Sequence, residues 1–312
     1  MSRLPDFAAI EAARARIAPH AVCTPILRSD ALDHALGAQV VFKCENRQHS
    51  GAFKYRGALN AVWSLSEDEA QRGVVTHSSG NHGAALALAA RSRGITAHVV
   101  VPEGAVAAKV ANIERAGGTV HYCAPTMAAR EAAAAALAAS RGATLIHPYT
   151  DPRVIAGQGT AALELLEQAG MLDVLLIPLG GGGLASGTAI AAHGVDAAIR
   201  VVGAEPDGAA DTIASLAAGR RITDIVADTI CDGLRGTVGE INLACLIAHE
   251  VTVLPVSDAE VTHAMAALRE HLGETVEPSS ATVLAALARH REHFAGARVG
   301  VILSGGNVEG VA

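Results

Sequence analysis

The stretch SGAFKYRGALNA, Ser50 to Ala61, sets Lys54 and Arg56 two residues apart in a run that is otherwise largely small, apolar or aromatic. A lysine there reads in two ways. It is a solvated charge near the start of a helix, or an amine among apolar neighbours, where desolvation disfavours the ammonium and leaves a nucleophile. The second reading needs a ligand for that nucleophile. THSSGNHG, LGGGGLASG, EPDGAAD and LSGGN each follow an apolar run and turn small or polar. In an open α/β sheet the strand ends face the ligand crevice, so these loops are expected to converge on one site.

Gly180, Gly181, Gly182 and Gly183 follow the apolar run DVLLIPL and precede a helix near Leu184. Backbone N–H groups without side chains in the way, backed by a helix dipole, make a phosphate cradle. Successive glycines cost too much backbone entropy for a mere connection. Two phosphorylated ligands compete for the loop. Gly180, Gly182 and Ala185 match the G-x-G-x-x-A fingerprint of dinucleotide folds, with Glu205 ending the next strand as a ribose partner, which would make the protein an NAD-dependent oxidoreductase. That reading gives no role to Lys54, to the loop from Ser78 to Asn81, or to SGGN. Pyridoxal phosphate needs a lysine for a Schiff base, an anion cradle, a donor near its phenolic oxygen and a partner for its ring nitrogen. Lys54, the glycine loop, Asn81 and Ser304 can supply these, while Gly51 and Ala52 leave room and Phe53 can pack alongside.

Holding these loops at one place requires a sheet. Short β-branched runs alternate with alanine-rich helical stretches, as in GVVTHSSG then NHGAALALAARSRG, and AHVVVPEG then AVAAKVANIERAGG. The pattern continues through TVHYC, ATLIHP, DVLLIPL, IRVVGAEP, VTVLPVSD and VGVILSGG, about eight strands in all, and predicts an α/β fold of parallel sheet covered by helices on both faces. Gly94, Gly117 and Gly142 punctuate helix ends. The units from residue 70 to 147 are expected to form a small mobile lobe, and 1–69 with 148–312 a larger one, with a ligand cleft between them.

Composition narrows the class. A chain of 312 residues, half of them hydrophobic and 18% charged, is long enough for one large or two ordinary domains. A formal charge of -7 without a basic run excludes the electrostatic footprint of nucleic acid or an anionic membrane, and leaves a small molecule as the partner. The five cysteines are scattered and never spaced C-x-x-C, which argues against a disulfide framework and a zinc site. Asp6, Glu11, Arg14 and Arg16 interrupt the N-terminal apolar residues, so no signal-peptide core is expected, nor any membrane-spanning run, and a cytoplasmic location is.

Taken in order, CENRQHSGAFKYRGALNAV, THSSGNHG, HPYTDPRVIAGQGTAALE, PLGGGGLASG, GAEPDGAAD, EPSSA and ILSGGNV make the chain resemble the serine racemase and serine/threonine dehydratase family of fold-type II pyridoxal-phosphate enzymes, over nearly its whole length. The resemblance implies two open, twisted, mostly parallel sheets, a cofactor in the interdomain cleft, and a homodimer. It implies that Lys54 holds pyridoxal 5'-phosphate and moves the α-proton, that Phe53 flanks the ring, that Asn81 bonds the phenolic oxygen and that Ser304 meets the pyridine nitrogen. A neutral hydroxyl at that nitrogen suits elimination better than transamination.

The implied activity is elimination of the β-hydroxyl of serine, threonine or 3-hydroxyaspartate as water, followed by hydrolysis of the released enamine to a 2-oxo acid and ammonia. Racemisation joins it if Ser79 reprotonates the α-carbon from the face opposite Lys54; read alone, Ser79 is a loop hydroxyl that bonds the substrate carboxylate beside Ser78. His82 would touch substrate or phosphate, or simply pack the loop. Glu205, the carbonyl of Ala209 and Asp211 match the family's divalent-cation site, an all-oxygen set for Mg²⁺, Ca²⁺ or Mn²⁺; read alone, the acids cap a helix. Arg130 resembles a residue near the racemase substrate site, or lies on a solvated helix face. At DGLRGTVG the chain departs from the racemase pattern, with Gly236 in place of a serine and Arg235 before it. An arginine there would suit the second carboxylate of hydroxyaspartate, or be a surface charge. The non-enzymatic alternative is a ligand sensor that has lost its chemistry, against which the intact lysine, asparagine and glycine loop speak.

Overall fold

The computed structural model describes residues 4–308. In chain order its strands are β1 (Ile26–Leu27), β2 (Gln39–Cys44), β3 (Val74–Thr76), β4 (Ala97–Pro102), β5 (Gly118–Cys123), β6 (Thr144–Leu145), β7 (Val174–Pro178), β8 (Arg200–Pro206), β9 (Thr252–Val256) and β10 (Arg298–Leu303). They form a six-stranded sheet in the order β1-β2-β10-β7-β8-β9 and a four-stranded sheet in the order β5-β4-β3-β6. Every pairing is parallel except that of β1 with β2. The parallel α/β expectation therefore holds, with two strands added. QVVFKC, β2, is followed by the 3-10 turn Glu45–Arg47 and so does not read as a βα unit. The two-residue β1 exists only through its pairing with β2.

β7 is apolar and buried throughout because both faces of the sheet are covered. Leu175 and Ile177 pack with residues of the helices Phe7–Ile17, Pro152–Ala169 and Gly183–Val195. Val174 and Leu176, pointing the other way, pack with the helices Asp258–Leu272 and Pro278–Arg289. A third core joins Tyr55, Leu59 and Val62 of the helix Lys54–Trp63 to Val74, Leu86 and Ile146 around the smaller sheet.

Arg56 lies wholly inside this framework. Its Nε and Nη2 donate to Glu45 at 2.8 Å each, and Nη1 and Nη2 donate to Glu164 at 2.8 and 2.7 Å. Lys43 of β2 donates to Glu164 at 2.7 Å, so the network ties the helix Lys54–Trp63, β2 and the helix Pro152–Ala169 together. No described helix is long and apolar enough to cross a membrane.

Candidate active site

A cleft of about 950 Å³ opens where the chain leaves β3, β7 and β10. Phe53, Lys54, Ser78, Ser79, Asn81, His82, Arg130, Gly180 to Gly183, Arg235 and Ser304 all line it. Glu205, Ala209 and Asp211 do not; Glu205 lies near the end of β8 and the other two follow the strand.

Lys54 is placed by a backbone zipper. Phe53 N–H donates to Ser304 O at 2.9 Å, Gly306 N–H donates to Gly51 O at 2.9 Å, and Ala52 bridges Gly305. The segment before the helix Lys54–Trp63 is thereby stitched to the end of β10. Among the described residues Lys54 Nζ donates only to Pro148 O, at 3.3 Å, and no carboxylate pairs with it; it sits 4.9 Å from the centroid of the Phe53 ring. Burial brings its pKa down from 10.5 to about 8, against a smaller upward pull from Glu277.

The glycine loop faces Lys54 across the cleft and starts the helix Gly183–Val195. Its composition is forced by close approach. A Cβ on Gly181 would lie 2.6 Å from the Tyr149 ring, and Gly182 has φ +88° with a Cβ position 2.7 Å from Asn242. Only glycine gives a left-handed turn at this spacing, leaving bare N–H groups at a helix N-terminus.

The wall from the smaller sheet is different in character. Asn81 begins the helix Asn81–Ser92, and its Nδ2 donates to both carboxylate oxygens of Glu277, at 2.9 and 3.0 Å. His82 is buried with neither ring nitrogen bonded, and burial, with Lys54 adding to it, holds its pKa well below the usual imidazole range. Ser79 makes no side-chain hydrogen bond among the described residues, and Arg130 makes neither a side-chain hydrogen bond nor an ion pair, its Nε being buried and unpartnered. Arg235, by contrast, is committed: Nε and Nη2 donate to Thr229 O at 3.1 and 2.6 Å. Lys109 crosses the cleft to pair with Asp232.

His77, Glu131 and His147 bring one ligand atom each within 4.8 Å of one another near this wall. His77 and His147 follow the neighbouring strands β3 and β6, whose register puts them side by side. His147 Nδ1, however, accepts from the backbone N–H groups of Tyr149 and Thr150 at 3.4 and 3.2 Å. Burial brings the His147 pKa to about 4, so the neutral ring keeps its one proton on Nε2 and has no lone pair free for a metal.

At the end of β8, Glu205 accepts from Thr212 and Ile213 N–H at 3.0 Å each, so it caps the helix Asp211–Ala218 with both oxygens. Asp211 accepts from Val238 N–H at 2.7 Å. Burial raises both carboxyls, Glu205 to about 7, and neither has a salt-bridge partner among the described residues. With Glu205 turned to the helix, the G-x-G-x-x-A reading loses its ribose partner.

Glu277, Asn307 and Tyr149 also line the cleft and were not singled out from sequence. EPSSA, HPYT and ILSGGNV contain them, yet nothing local marks a glutamate before a proline as a cleft residue; it is the zipper to β10 that brings it there.

Comparison with known proteins follows from this geometry. The model of the pyridoxal-phosphate dependent enzyme family matches residues 17–305. The chain is 45% identical to a beta-hydroxyaspartate dehydratase of Paracoccus denitrificans, covering 98% of this chain and 97% of that protein. It is 46% identical to a serine racemase of Arabidopsis thaliana, covering 97% and 93%. The structure of maize serine racemase superposes with a TM-score of 0.96 at 42% identity, covering 98% of this chain and 95% of that one.

Proposed function

The chain belongs to the pyridoxal-phosphate dependent enzymes, and on that premise we propose that it is an ammonia-lyase that removes the β-hydroxyl and the amino group of a β-hydroxy amino acid, 3-hydroxyaspartate fitting the cleft best. The observation that supports this most is the unpaired Lys54 amine, held near pKa 8 opposite a loop that must be glycine. Similarity to a beta-hydroxyaspartate dehydratase over nearly the full length supports it from outside.

The residues fit the cofactor. Gly180 to Gly183 offer N–H groups for its phosphate, Phe53 a ring face, Asn81 an amide donor and Ser304 a hydroxyl. Held there, pyridoxal phosphate supplies an electron sink for negative charge at the substrate α-carbon. Lys54 Nζ, neutral without large cost, takes the α-proton. Ser78, Ser79 and the N-terminus of the helix Asn81–Ser92 receive the α-carboxylate, since helix N-terminal N–H groups favour an anion. Arg130 receives the second carboxylate: it is the cleft arginine whose guanidinium has no hydrogen-bond or ion-pair partner among the described residues, whereas Arg235 is tied to Thr229. The β-hydroxyl leaves as water, and the released enamine takes up a water in turn, so that the net products are a 2-oxo acid and ammonia.

A second reading, racemisation, is favoured by the partnerless Ser79 hydroxyl and by similarity to a serine racemase. The segment 70–147 acts as a mobile lobe that closes over substrate, with Lys109–Asp232 and Asn81–Glu277 as contacts made on closure. Glu205, the carbonyl of Ala209 and Asp211 are an all-oxygen set for Mg²⁺, Ca²⁺ or Mn²⁺: both acids are buried without an ion pair among the described residues, and each Glu205 oxygen, accepting one backbone N–H, keeps a further lone pair for a cation. A homodimer in the cytoplasm completes the reading, consistent with five free cysteines.

The test is ammonia and 2-oxo acid release from L- and D-serine, L-threonine and the threo and erythro 3-hydroxyaspartates, together with borohydride fixation of the cofactor. Hydroxyaspartate turning over fastest, with the reduced adduct on the Lys54 peptide, is the expected result. No turnover of any of them, or an adduct elsewhere, overturns the proposal.

A further inference from the structure

We infer that Glu277 is a positioning residue that sets the orientation of the Asn81 carboxamide in the cleft, an inference that rests on the cofactor reading above. Glu277 precedes the helix Pro278–Arg289 and is 6% exposed. Its backbone N–H donates to Gly305 O at 3.0 Å, which fastens it beside the end of β10. A Cβ on residue 305 would stand 2.7 Å from Glu277 Oε1, so the glycine of SGGN keeps room for the carboxylate.

The hydrogen bonds leave one arrangement for the amide. Asn307 Nδ2 donates to Ser50 O at 2.9 Å, and a carbonyl only accepts, so the Asn307 nitrogen is identified. That same nitrogen donates to Asn81 Oδ1 at 3.0 Å. The Asn81 nitrogen therefore points to Glu277, whose two carboxylate oxygens accept from it. Oxygens about 2.2 Å apart subtend roughly 45° at a nitrogen this close, whereas the two N–H bonds of an amide diverge by about 120°. One N–H serves both oxygens, and the other is left for a ligand in the cleft. Asn81 comes from the unit of the smaller sheet, Glu277 and Asn307 from that of the larger, so the donor is aimed only when the two units meet.

The test uses the holoenzyme and reads the visible absorption band of the bound cofactor and its titration with pH, with cofactor dissociation measured alongside. Glu277→Ala and Asn81→Ala are each expected to move the band's titration in the same direction and to weaken cofactor binding about tenfold. The double variant is expected to be no worse than the poorer single one, because the two residues act as a unit. Glu277→Gln, which removes the charge that acts on Lys54 but still presents an acceptor to Asn81, is expected to bind cofactor close to wild type. Glu277→Asp keeps the charge but withdraws the acceptor by one methylene; it is expected to move the band, and it decides the matter if the alanine variant does not fold. Bands of the alanine and aspartate variants that coincide with wild type, or a double variant whose effects add, overturn the inference while leaving the cofactor reading intact. A wild-type protein with no such band overturns both.

Discussion

Lys54 and Arg56 stand two residues apart, yet one faces the cleft and the other the interior, and they are treated in opposite ways. Arg56 is surrounded by Glu45 and Glu164; burial acts against its charge, but the carboxylates more than reverse this and hold its pKa above the ordinary value. Lys54 has one carbonyl for company, and burial acts on it almost unopposed. A buried cation with every donor matched is architecture. One whose donors are left unmatched is available for chemistry. The same contrast recurs across the cleft, where Arg235 is tied down and Arg130 is not.

The largest effect expected from breaking this contrast is at Lys54. Lys54→Ala is predicted to lower kcat by about 10⁴-fold, the upper range for removal of a positioned base, with thermal stability unchanged or slightly higher. Steady-state ammonia release and a melting curve check it together; substantial residual turnover would remove Lys54 from the proton transfer.

Arg56→Ala tests the other side. It leaves Glu45 buried without its partner, and is predicted to destabilise the fold by about 3–5 kcal/mol in denaturant unfolding. Where the variant still folds, its cofactor binding is predicted to survive. Loss of activity in a fully folded Arg56→Ala protein would show that the network reaches the cleft chemistry after all.

A smaller effect separates the two arginines. Arg130→Gln is predicted to reduce kcat/KM for 3-hydroxyaspartate by about 10–100-fold, the worth of a charge-assisted pair, and to affect serine far less. Arg235→Gln, which removes bonds to Thr229 and not to substrate, is predicted to change that ratio less than about threefold. A reversal of the two results would return Arg235 to the specificity role that its position before Gly236 suggested.

How much of this was legible depended on whether a signal was local. The βα alternation announced β3 to β10: central strands such as β7 are apolar and buried throughout, while the edge strands β5 and β9 are partly exposed and are marked by the helices that follow them. β1 escaped because it is only two residues long, and β2 because it is followed by a 3-10 turn in place of a helix. The glycine loop, Lys54, Ser78 to His82, Arg130, Arg235 and Ser304 were marked by residue type and do meet in one cleft. What could not be read was which polar groups would find partners. Arg130 and Arg235 look alike as letters, and what distinguishes them is how the loop folds the Thr229 carbonyl, six residues earlier, back onto Arg235. Glu277 reads as an ordinary helix-start acid, and its place against Asn81 depends on contacts 196 residues apart in the chain.

The smallest predicted effect sharpens the Lys54 side through pH. The folded-state pKa of Lys54 is depressed, from 10.5 to about 8. Between those values the unfolded chain binds more protons at this site than the folded one, so stability rises with pH there. Protein freed of cofactor is therefore expected to gain stability relative to Lys54→Met as pH increases from 8 towards 10.5. The comparison with Lys54→Met cancels the tyrosines and other lysines that titrate in the same window. Parallel stability curves for the two proteins would mean that the amine is as well solvated in the folded state as in the unfolded one, and the distinction drawn between Lys54 and Arg56 would then rest on Arg56 alone.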